Sequence, residues 1–109
     1  MTITYKVLGQ SNPAATTATT LYTVPVGNST VASTLNVCNQ VSTPATFRVA
    51  VRVGGASLTS SQYINYDTQI PGNDSIALTM GITLGAGDIV TVYANTANIS
   101  FNLFGTEIN

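Results

Sequence analysis

The stretch "ATFRVAVRV", residues 45–53, decides the fold class because apolar side chains recur at every second position along it. One face carries Phe47, Val49, Val51 and Val53, and the other carries Arg48, Ala50 and Arg52. A period of two is typical of a β-strand with one buried face. The sequence therefore predicts a strand here, with both arginines pointing away from the core.

The segment after this strand predicts a hairpin. Two glycines at 54–55 supply the positive φ angles that a two-residue turn requires, and such a turn places Leu58 opposite Val51. Continuing the same register would turn polar residues of "TSSQ" (59–62) onto the apolar face. We therefore expect a bulge or a strand end there, before a strand resumes at "YINY" (63–66).

Upstream of residue 45, the sequence predicts two more strands joined by a turn. "LYTV" (21–24) is the first strand, "PVGN" (25–28) is the turn, and "STVASTLNV" (29–37) is the second strand. The predicted inner face of the second strand carries Val31, Leu35 and Val37. Its predicted outer face carries Thr30, Thr34 and Asn36.

Downstream, further turns separate further strands. "PGND" (71–74) precedes "SIALTMGITL" (75–84), and "GAGD" (85–88) precedes "IVTVYA" (89–94). The last predicted strand, "NISFNLF" (98–104), points three side chains inward: Ile99, Phe101 and Leu103. No segment carries apolar residues at helical spacing over three turns, and β-branched residues dominate.

These elements predict an all-β fold. We expect a single antiparallel β-sandwich of about eight strands spanning residues 1–109, with either a jelly-roll or an immunoglobulin-like (Ig-like) topology. A chain of 109 residues suits one domain with one core. Residues 11–20, "SNPAATTATT", are interpreted as a loop or mobile connection.

Charged residues are scarce, at 6% of the chain with a net charge of −1, against about 25% in an ordinary soluble domain. This balance offers no electrostatic footprint for nucleic acid or for an anionic membrane, so neither is predicted as a partner. The chain shows no signal peptide and no apolar run long enough to span a bilayer. We therefore expect it to be made in the cytoplasm.

The sequence predicts no enzyme and no cofactor. Histidine is absent, which removes the commonest general base and the commonest metal ligand. Asp74 and Asp88 lie in predicted turns, where aspartate is favoured for backbone reasons, and no acidic cluster resembles a calcium loop. Cys38 has no partner for an internal disulfide, and we expect its thiol to share the outer face with Asn36.

Arg48 and Arg52 form the candidate docking surface, together with Tyr63 and Tyr66. Outward positions four apart on one strand lie about 13 Å from each other on the same side. Two interpretations stay open. The arginines either solvate a strand edge and discourage strand pairing, or they bind carboxylates of a partner protein. The tyrosines would add amphipathic contact area near the same hairpin.

The missing charge points to a subunit whose surface is largely covered. A free monomer usually keeps itself apart from its neighbours by charge, whereas interface cores are depleted in Lys, Glu and Asp. The uncharged stretch "LYTVPVGNSTVASTLNVCN" (21–39) is therefore expected to face other subunits as much as water.

Nearly the whole chain, about residues 19–108, resembles a family of small virion structural proteins of tailed phages, especially phages of cyanobacteria and marine bacteria. The resemblance is carried by "TTLYTVPVGNSTVASTLNVCN" (19–39), "ATFRVAVR" (45–52), "YINYDT" (63–68), "GITLGAGDIVTVYA" (81–94) and "NISFNLFGTEI" (98–108). It implies a β-sandwich subunit of the particle, in the manner of a cement or decoration protein on the capsid exterior. It brings no catalytic residues with it.

The leading hypothesis is a non-enzymatic capsid cement protein that binds the major capsid protein, self-associates as a homotrimer and resides on the virion. A second hypothesis places the subunit in the tail, as a collar, baseplate or fibre-associated component. A third is a carbohydrate-binding module that uses its tyrosines. The absence of Trp argues against it, because sugar platforms favour large aromatic faces.

Overall fold

The computed structural model describes residues 1–109 and contains eight β-strands, which confirms the all-β prediction. The strands are β1 (Ile3–Ser11), β2 (Thr19–Thr23), β3 (Ser29–Asn39), β4 (Ala45–Arg52), β5 (Tyr63–Ile70), β6 (Ser75–Leu84), β7 (Ile89–Ala94) and β8 (Ile99–Ile108). Two three-residue 3₁₀ turns, Val53–Gly55 and Ser60–Gln62, are the helical segments. No helix has the length and apolar character needed to cross a membrane.

The strands form two four-stranded antiparallel sheets that pack face to face as a sandwich. Sheet I has the strand order β1-β8-β3-β6, and sheet II has the order β2-β7-β4-β5. The two aromatic rings at the centre, Phe47 of β4 and Phe101 of β8, meet edge to face across the sheets with centroids 6.0 Å apart. Both are fully buried, so the apolar stripes of the two sheets share one core.

The strand pairing is that of a jelly roll. β1 pairs with β8, β2 with β7, β3 with β6, and β4 with β5. The chain thus behaves as one long antiparallel ribbon that is doubled back at β4–β5 and rolled up. Only β4 and β5 are consecutive strands within one sheet. The Ig-like alternative is excluded, because that fold keeps several consecutive strands side by side.

Most predicted inner faces are confirmed. Ile99, Phe101 and Leu103 have no exposed surface, and the same holds for Phe47 and Val49. The turns predicted at 71–74 and 85–88 also lie where expected, between β5 and β6 and between β6 and β7. Val53 is an exception: it was predicted to face the core, but β4 ends at Arg52 and Val53 lies 71% exposed in the following 3₁₀ turn. Alternation was a sound guide wherever a strand runs without interruption.

Strand β3 departs from its predicted faces at its first half. Leu35 and Val37 point inward as predicted, but Thr30 is buried and Val31 lies on the outer face. The cause is a β-bulge at Ser33, where the pairing with both β6 and β8 shifts. Because an extra residue changes the parity of a strand, the prediction was wrong upstream of the bulge and right downstream.

The connection between β4 and β5 is longer than predicted. Gly54 and Gly55 do have positive φ angles of 62° and 74°, but they lie in a 3₁₀ turn rather than in a two-residue hairpin turn. Strand β5 begins only at Tyr63, which pairs with Ala50. The predicted pairing of Leu58 with Val51 is therefore wrong, whereas the expected irregularity near 59–62 is confirmed as the second 3₁₀ turn.

Strand β1 was not predicted, and it lies at one edge of sheet I. It is followed by the segment interpreted as a loop or mobile connection, residues 11–20. In the structure the connection spans 12–18, because Ser11 ends β1 and β2 begins at Thr19. The side-chain amide of Asn12 donates to the carbonyl of Ile99 at 2.7 Å, which ties this connection to the start of β8.

Candidate docking surface

The outer face of sheet II carries three charged side chains, and two of them belong to the predicted docking surface. Arg48 and Arg52 lie on β4, and Asp67 lies on the neighbouring strand β5. Residue alternation turns both arginines outward because Phe47 and Val49 fill the core from the same strand. The sequence prediction for the direction of the arginines is confirmed.

A bulge in β5 places two side chains beside Arg48. Phe47 pairs with Thr68 and Val49 pairs with Asn65. Arg48 alone therefore faces both Tyr66 and Asp67. Asp67 has a positive φ of 50°, a conformation that aspartate tolerates better than most residues.

The Arg48 guanidinium is held from three sides. Its Cζ lies 4.1 Å from the ring centroid of Tyr66 and 4.4 Å from that of Tyr93. Its Nε and Nη2 donate to the two carboxylate oxygens of Asp67, at 2.7 and 3.3 Å. The hydrogen bonds to Asp67 raise the pKa of Arg48 above its ordinary value. The side chain is thus fixed between two aromatic faces and a carboxylate.

Tyr63 completes the group, because its ring meets that of Tyr66 edge to face with centroids 4.9 Å apart. We call Arg48, Tyr63, Tyr66, Asp67 and Tyr93 the Arg48 cluster. Tyr66 is 58% exposed, so the cluster presents an aromatic surface to the outside. The structure therefore brings together three of the four predicted docking residues.

Arg52, the fourth predicted residue, binds the chain's own loop. Its Nε donates to the carbonyl of Ala56 at 2.8 Å, and its Nη2 donates to the carbonyl of Gly55 at 3.0 Å. The carboxylate of Asp88 holds the same loop from the other side by accepting the backbone N–H of Gly54 at 2.8 Å. Arg52 therefore shapes the long β4–β5 connection and lies apart from the Arg48 cluster.

Sequence reasoning missed Tyr93 and Asp67 as members of the cluster. Tyr93 lies on β7, directly opposite Arg48, and this register depends on which strands pair. Asp67 was noted only as one of four acids. The signal available in the sequence was the alternation within "IVTVYA" (89–94), which places Tyr93 on the outward-facing side of its strand.

The chemistry of the cluster differs from the prediction in one respect. One of the two open interpretations was that Arg48 binds a partner's carboxylate, and in the single chain its bidentate face is occupied by Asp67. What it offers a partner is a rigid set of aromatic rings with a fixed cation between them. No three His, Cys, Asp or Glu side chains lie close enough together to hold a metal ion.

A second polar cluster lies between the sheets, where β1 approaches β2. The phenolic O–H of Tyr22 donates a hydrogen bond to Glu107 Oε2 at 2.6 Å. The hydroxyls of Tyr22 and Thr30 form a second hydrogen bond at 2.7 Å. Lys6 Nζ lies 3.3 Å from Glu107 Oε1. Burial and the neighbouring Glu107 raise the pKa of Tyr22 to about 12. The hydrogen bond from Tyr22, with help from Lys6, lowers the pKa of Glu107.

The chain matches no known protein-family model, and no curated protein matches it either. Its function is therefore argued from the fold, from the two faces of the sandwich and from the resemblance of its sequence.

Proposed function

We propose that this chain is a non-enzymatic structural subunit of a tailed-phage particle. In this proposal it is a cement or decoration protein on the capsid exterior that binds the major capsid protein and acts as a homotrimer. The resemblance of residues 19–108 to small virion proteins supports this role. A jelly roll with 6% charged residues also suits a subunit that buries much of its surface.

The single observation that carries the proposal is the Arg48 cluster. Tyr and Arg are the residue types that dominate the binding energy of protein interfaces. Here three tyrosines and one arginine share one outer face, and their mutual contacts at 4.1 to 4.9 Å hold the side chains in place. Because the side chains are already ordered, docking them costs little conformational entropy.

Several copies acting together would turn modest contacts into tight attachment. One face of a small domain offers an interface of ordinary size. When one subunit of an oligomer is docked, its partners bind at a high effective concentration, and overall affinity rises by roughly 10²–10⁴-fold. A subunit of this kind stabilises junctions between capsid proteins against internal genome pressure.

Alanine variants of the cluster test the proposal on particles that lack the protein. Purified wild-type and variant chains are added back, and bound copies are measured against free concentration. We expect Arg48→Ala and Tyr66→Ala each to weaken binding at least about tenfold, as interface hot spots do.

The matched control is Gln69→Ala, an exposed position on the same strand as Tyr66, which should bind as the wild type does. Each variant is first checked for an unchanged melting profile. Equal occupancy for Arg48→Ala, Tyr66→Ala and the control would contradict docking through this cluster.

A tail, collar or baseplate role is the second reading of the same resemblance. It predicts only a few copies per particle, whereas a cement protein is present in numbers set by the capsid lattice. Copy number therefore separates the two roles without any variant.

A carbohydrate-binding function is a third candidate, favoured by one observation. An open concavity of about 400 Å³, lined by Ser60, Tyr63 and Tyr66, adjoins the Arg48 cluster. Aromatic faces beside polar groups are suited to sugars as well as to proteins. Saturable binding to a glycan array that is lost in Tyr66→Ala would support this candidate, and an array without specific binding would remove it.

A further inference from the structure

The outer face of sheet I carries no charged side chain. The three basic and four acidic residues of the chain all lie elsewhere. Arg48, Arg52 and Asp67 lie on sheet II, Asp74 and Asp88 lie in turns, and Lys6 and Glu107 lie on the inner side of sheet I. This outer face consists of apolar side chains, of neutral hydroxyl and amide side chains, and of the Cys38 thiol.

Strand β1 shows an inverted alternation on this face. Ile3, Tyr5 and Val7 point outward and are 47%, 82% and 46% exposed. Thr4 and Lys6 share the inner side, where Thr4 pairs with Glu107. An apolar set at period two normally marks the buried face of a strand. The pattern of β1 therefore indicates burial from outside the sandwich.

Polar side chains fill the inner side of this part of the sheet, which explains why the apolar residues of β1 are not needed there. The Lys6, Glu107, Tyr22 and Thr30 side chains form a chain of three contacts between 2.6 and 3.3 Å. At this end of the sandwich the interior is thus polar, and the exterior is apolar. If this outer surface stayed in contact with water, the apolar side chains of β1 would remain solvated, with no burial to offset that free-energy cost.

The apolar surface continues beyond β1. Phe104 of β8 pairs with Val7 and is 37% exposed. Thr106, two residues further along β8, pairs with Val31 of β3, which the bulge at Ser33 turns outward. The bulge that made the sequence prediction wrong for Val31 is thus the device that adds an apolar residue to this face.

We propose that the outer face of sheet I is the contact between copies of this chain. This inference rests on the self-association in the proposed function and names the surface that performs it. The occupant is a second copy because the face is free of charge. In a contact between two copies, residue i of one copy meets residue j of the other and the reverse, so a face with no charge of either sign brings no like charges together. A face without charge avoids this repulsion in every closed symmetry.

The size of the face also fits a second copy. Four strands about 4.8 Å apart, each about ten residues long at ~3.3 Å per residue, give a flat area of roughly 600 Å². The corrugated accessible surface is larger than this. A standard interface takes about 800 Å² from each partner, so the whole sheet face is of the size that one contact between two copies requires.

Two variants place a charge on the face without disturbing the core. Tyr5→Lys changes the most exposed apolar residue of β1, and Thr106→Lys changes the residue of β8 that lies between Tyr5 and Val31. The mass of the purified chain in solution is measured over a wide concentration range by sedimentation and light scattering. We expect the wild type to form a closed oligomer of 11.3 kDa chains, and each variant to raise the dissociation constant at least about tenfold.

The matched control is Gln69→Lys, which places the same charge on the exposed outer face of sheet II and should leave the oligomer intact. A monomeric wild type at all concentrations would overturn the inference, as would an oligomer that both variants retain. Dissociation by the control to the same degree would overturn it too. None of these results depends on particle binding, so the particle role stands or falls separately.

Footprinting of the unmodified protein keeps the test open if a variant fails to fold. Hydroxyl radicals oxidise exposed tyrosines, and Tyr5 and Tyr66 are both largely exposed in the single chain. We expect Tyr5 to become protected as concentration rises through the association range, while Tyr66 stays reactive. Unchanged reactivity of Tyr5 upon association would contradict the proposed face.

Discussion

At the residue scale, the Tyr22 phenol links the two sheets through two short hydrogen bonds. It is 7% exposed, and it donates to Glu107 while contacting Thr30. Removing the phenolic hydroxyl leaves Glu107 and the buried Thr30 hydroxyl without this hydrogen-bond partner. An unsatisfied buried polar group costs about 1–3 kcal/mol. We therefore expect Tyr22→Phe to lower the free energy of unfolding by about that amount in urea titrations at pH 7.

The same pair sets a dependence of stability on pH. Because the pKa of Tyr22 is raised from 10.0 to about 12, its contribution is complete below pH 10 and is lost as pH rises toward 12. Because the pKa of Glu107 is lowered from 4.5, its contribution is present above that pH and is lost as pH falls below it.

Urea titrations between pH 3 and pH 11.5 measure both effects. We expect the difference between the wild type and Tyr22→Phe to be largest near neutral pH and to narrow at both ends. The comparison with Tyr22→Phe is its own control, because every ionisable group except the Tyr22 phenol is present in both proteins. A difference that stays constant across this range would contradict the assigned linkage.

Thr91 gives a prediction of the opposite sign. Its hydroxyl is buried on β7 and has no hydrogen-bond partner. Valine has nearly the same shape and favours strands, so Thr91→Val removes a desolvated polar group without leaving a cavity. We expect a gain of about 1 kcal/mol in the free energy of unfolding.

The matched control is Thr20→Val. Thr20 lies opposite Thr91 on the neighbouring strand β2, and its side chain is exposed to water. That change should shift the urea midpoint little. A loss of stability in Thr91→Val would show that the hydroxyl has a partner in solution.

At the element scale, the fold depends on two kinds of information. Alternation within one strand is local, so residues 45–52 and 99–103 could be predicted with their correct faces. Strand order and bulges are properties of pairing between distant segments. The bulge at Ser33 reversed the expected faces of Thr30 and Val31, and neither residue type marks such a site in advance.

The candidate site likewise has features that follow from a single strand and features that depend on strand pairing. The outward direction of Arg48 followed from its own strand, whereas its contact with Tyr93 required the pairing of β4 with β7. The β5 bulge that adds Asp67 also arises from pairing. Strand β1 escaped prediction for a different reason, since its apolar residues point away from the core that the prediction assumed.

Asn39 joins two connections at one end of the sandwich. It is 2% exposed, its Nδ2 donates to the carbonyls of Thr43 and Pro71, and its Oδ1 accepts the N–H of Val41. Replacing Asn39 with alanine leaves these three backbone groups without a partner. We expect Asn39→Ala to cost about 2–3 kcal/mol in urea unfolding.

The control is Gln40→Ala at the next residue of the chain, whose side chain is exposed. We expect its effect to stay within about 0.5 kcal/mol, as for other surface changes. Equal losses for the two variants would mean that the junction at Asn39 contributes nothing specific.

At the scale of the whole molecule, the two sheets present different outer faces. Sheet II carries a fixed cation between tyrosine rings, and sheet I carries a neutral face with outward apolar residues on β1. One face thus suits a foreign partner, and the other suits copies of the chain. This division would supply the two attachments that the proposed cement role requires.

We propose that the chain is a lattice component of a phage particle. The most direct measurement is its copy number relative to the major capsid protein, determined by quantitative mass spectrometry of purified particles of the phage that is proposed to encode it. We expect a ratio near one, or a simple fraction set by the symmetry of the capsid. A few copies per particle would contradict the cement role and favour the tail, and complete absence from the particle would contradict the account.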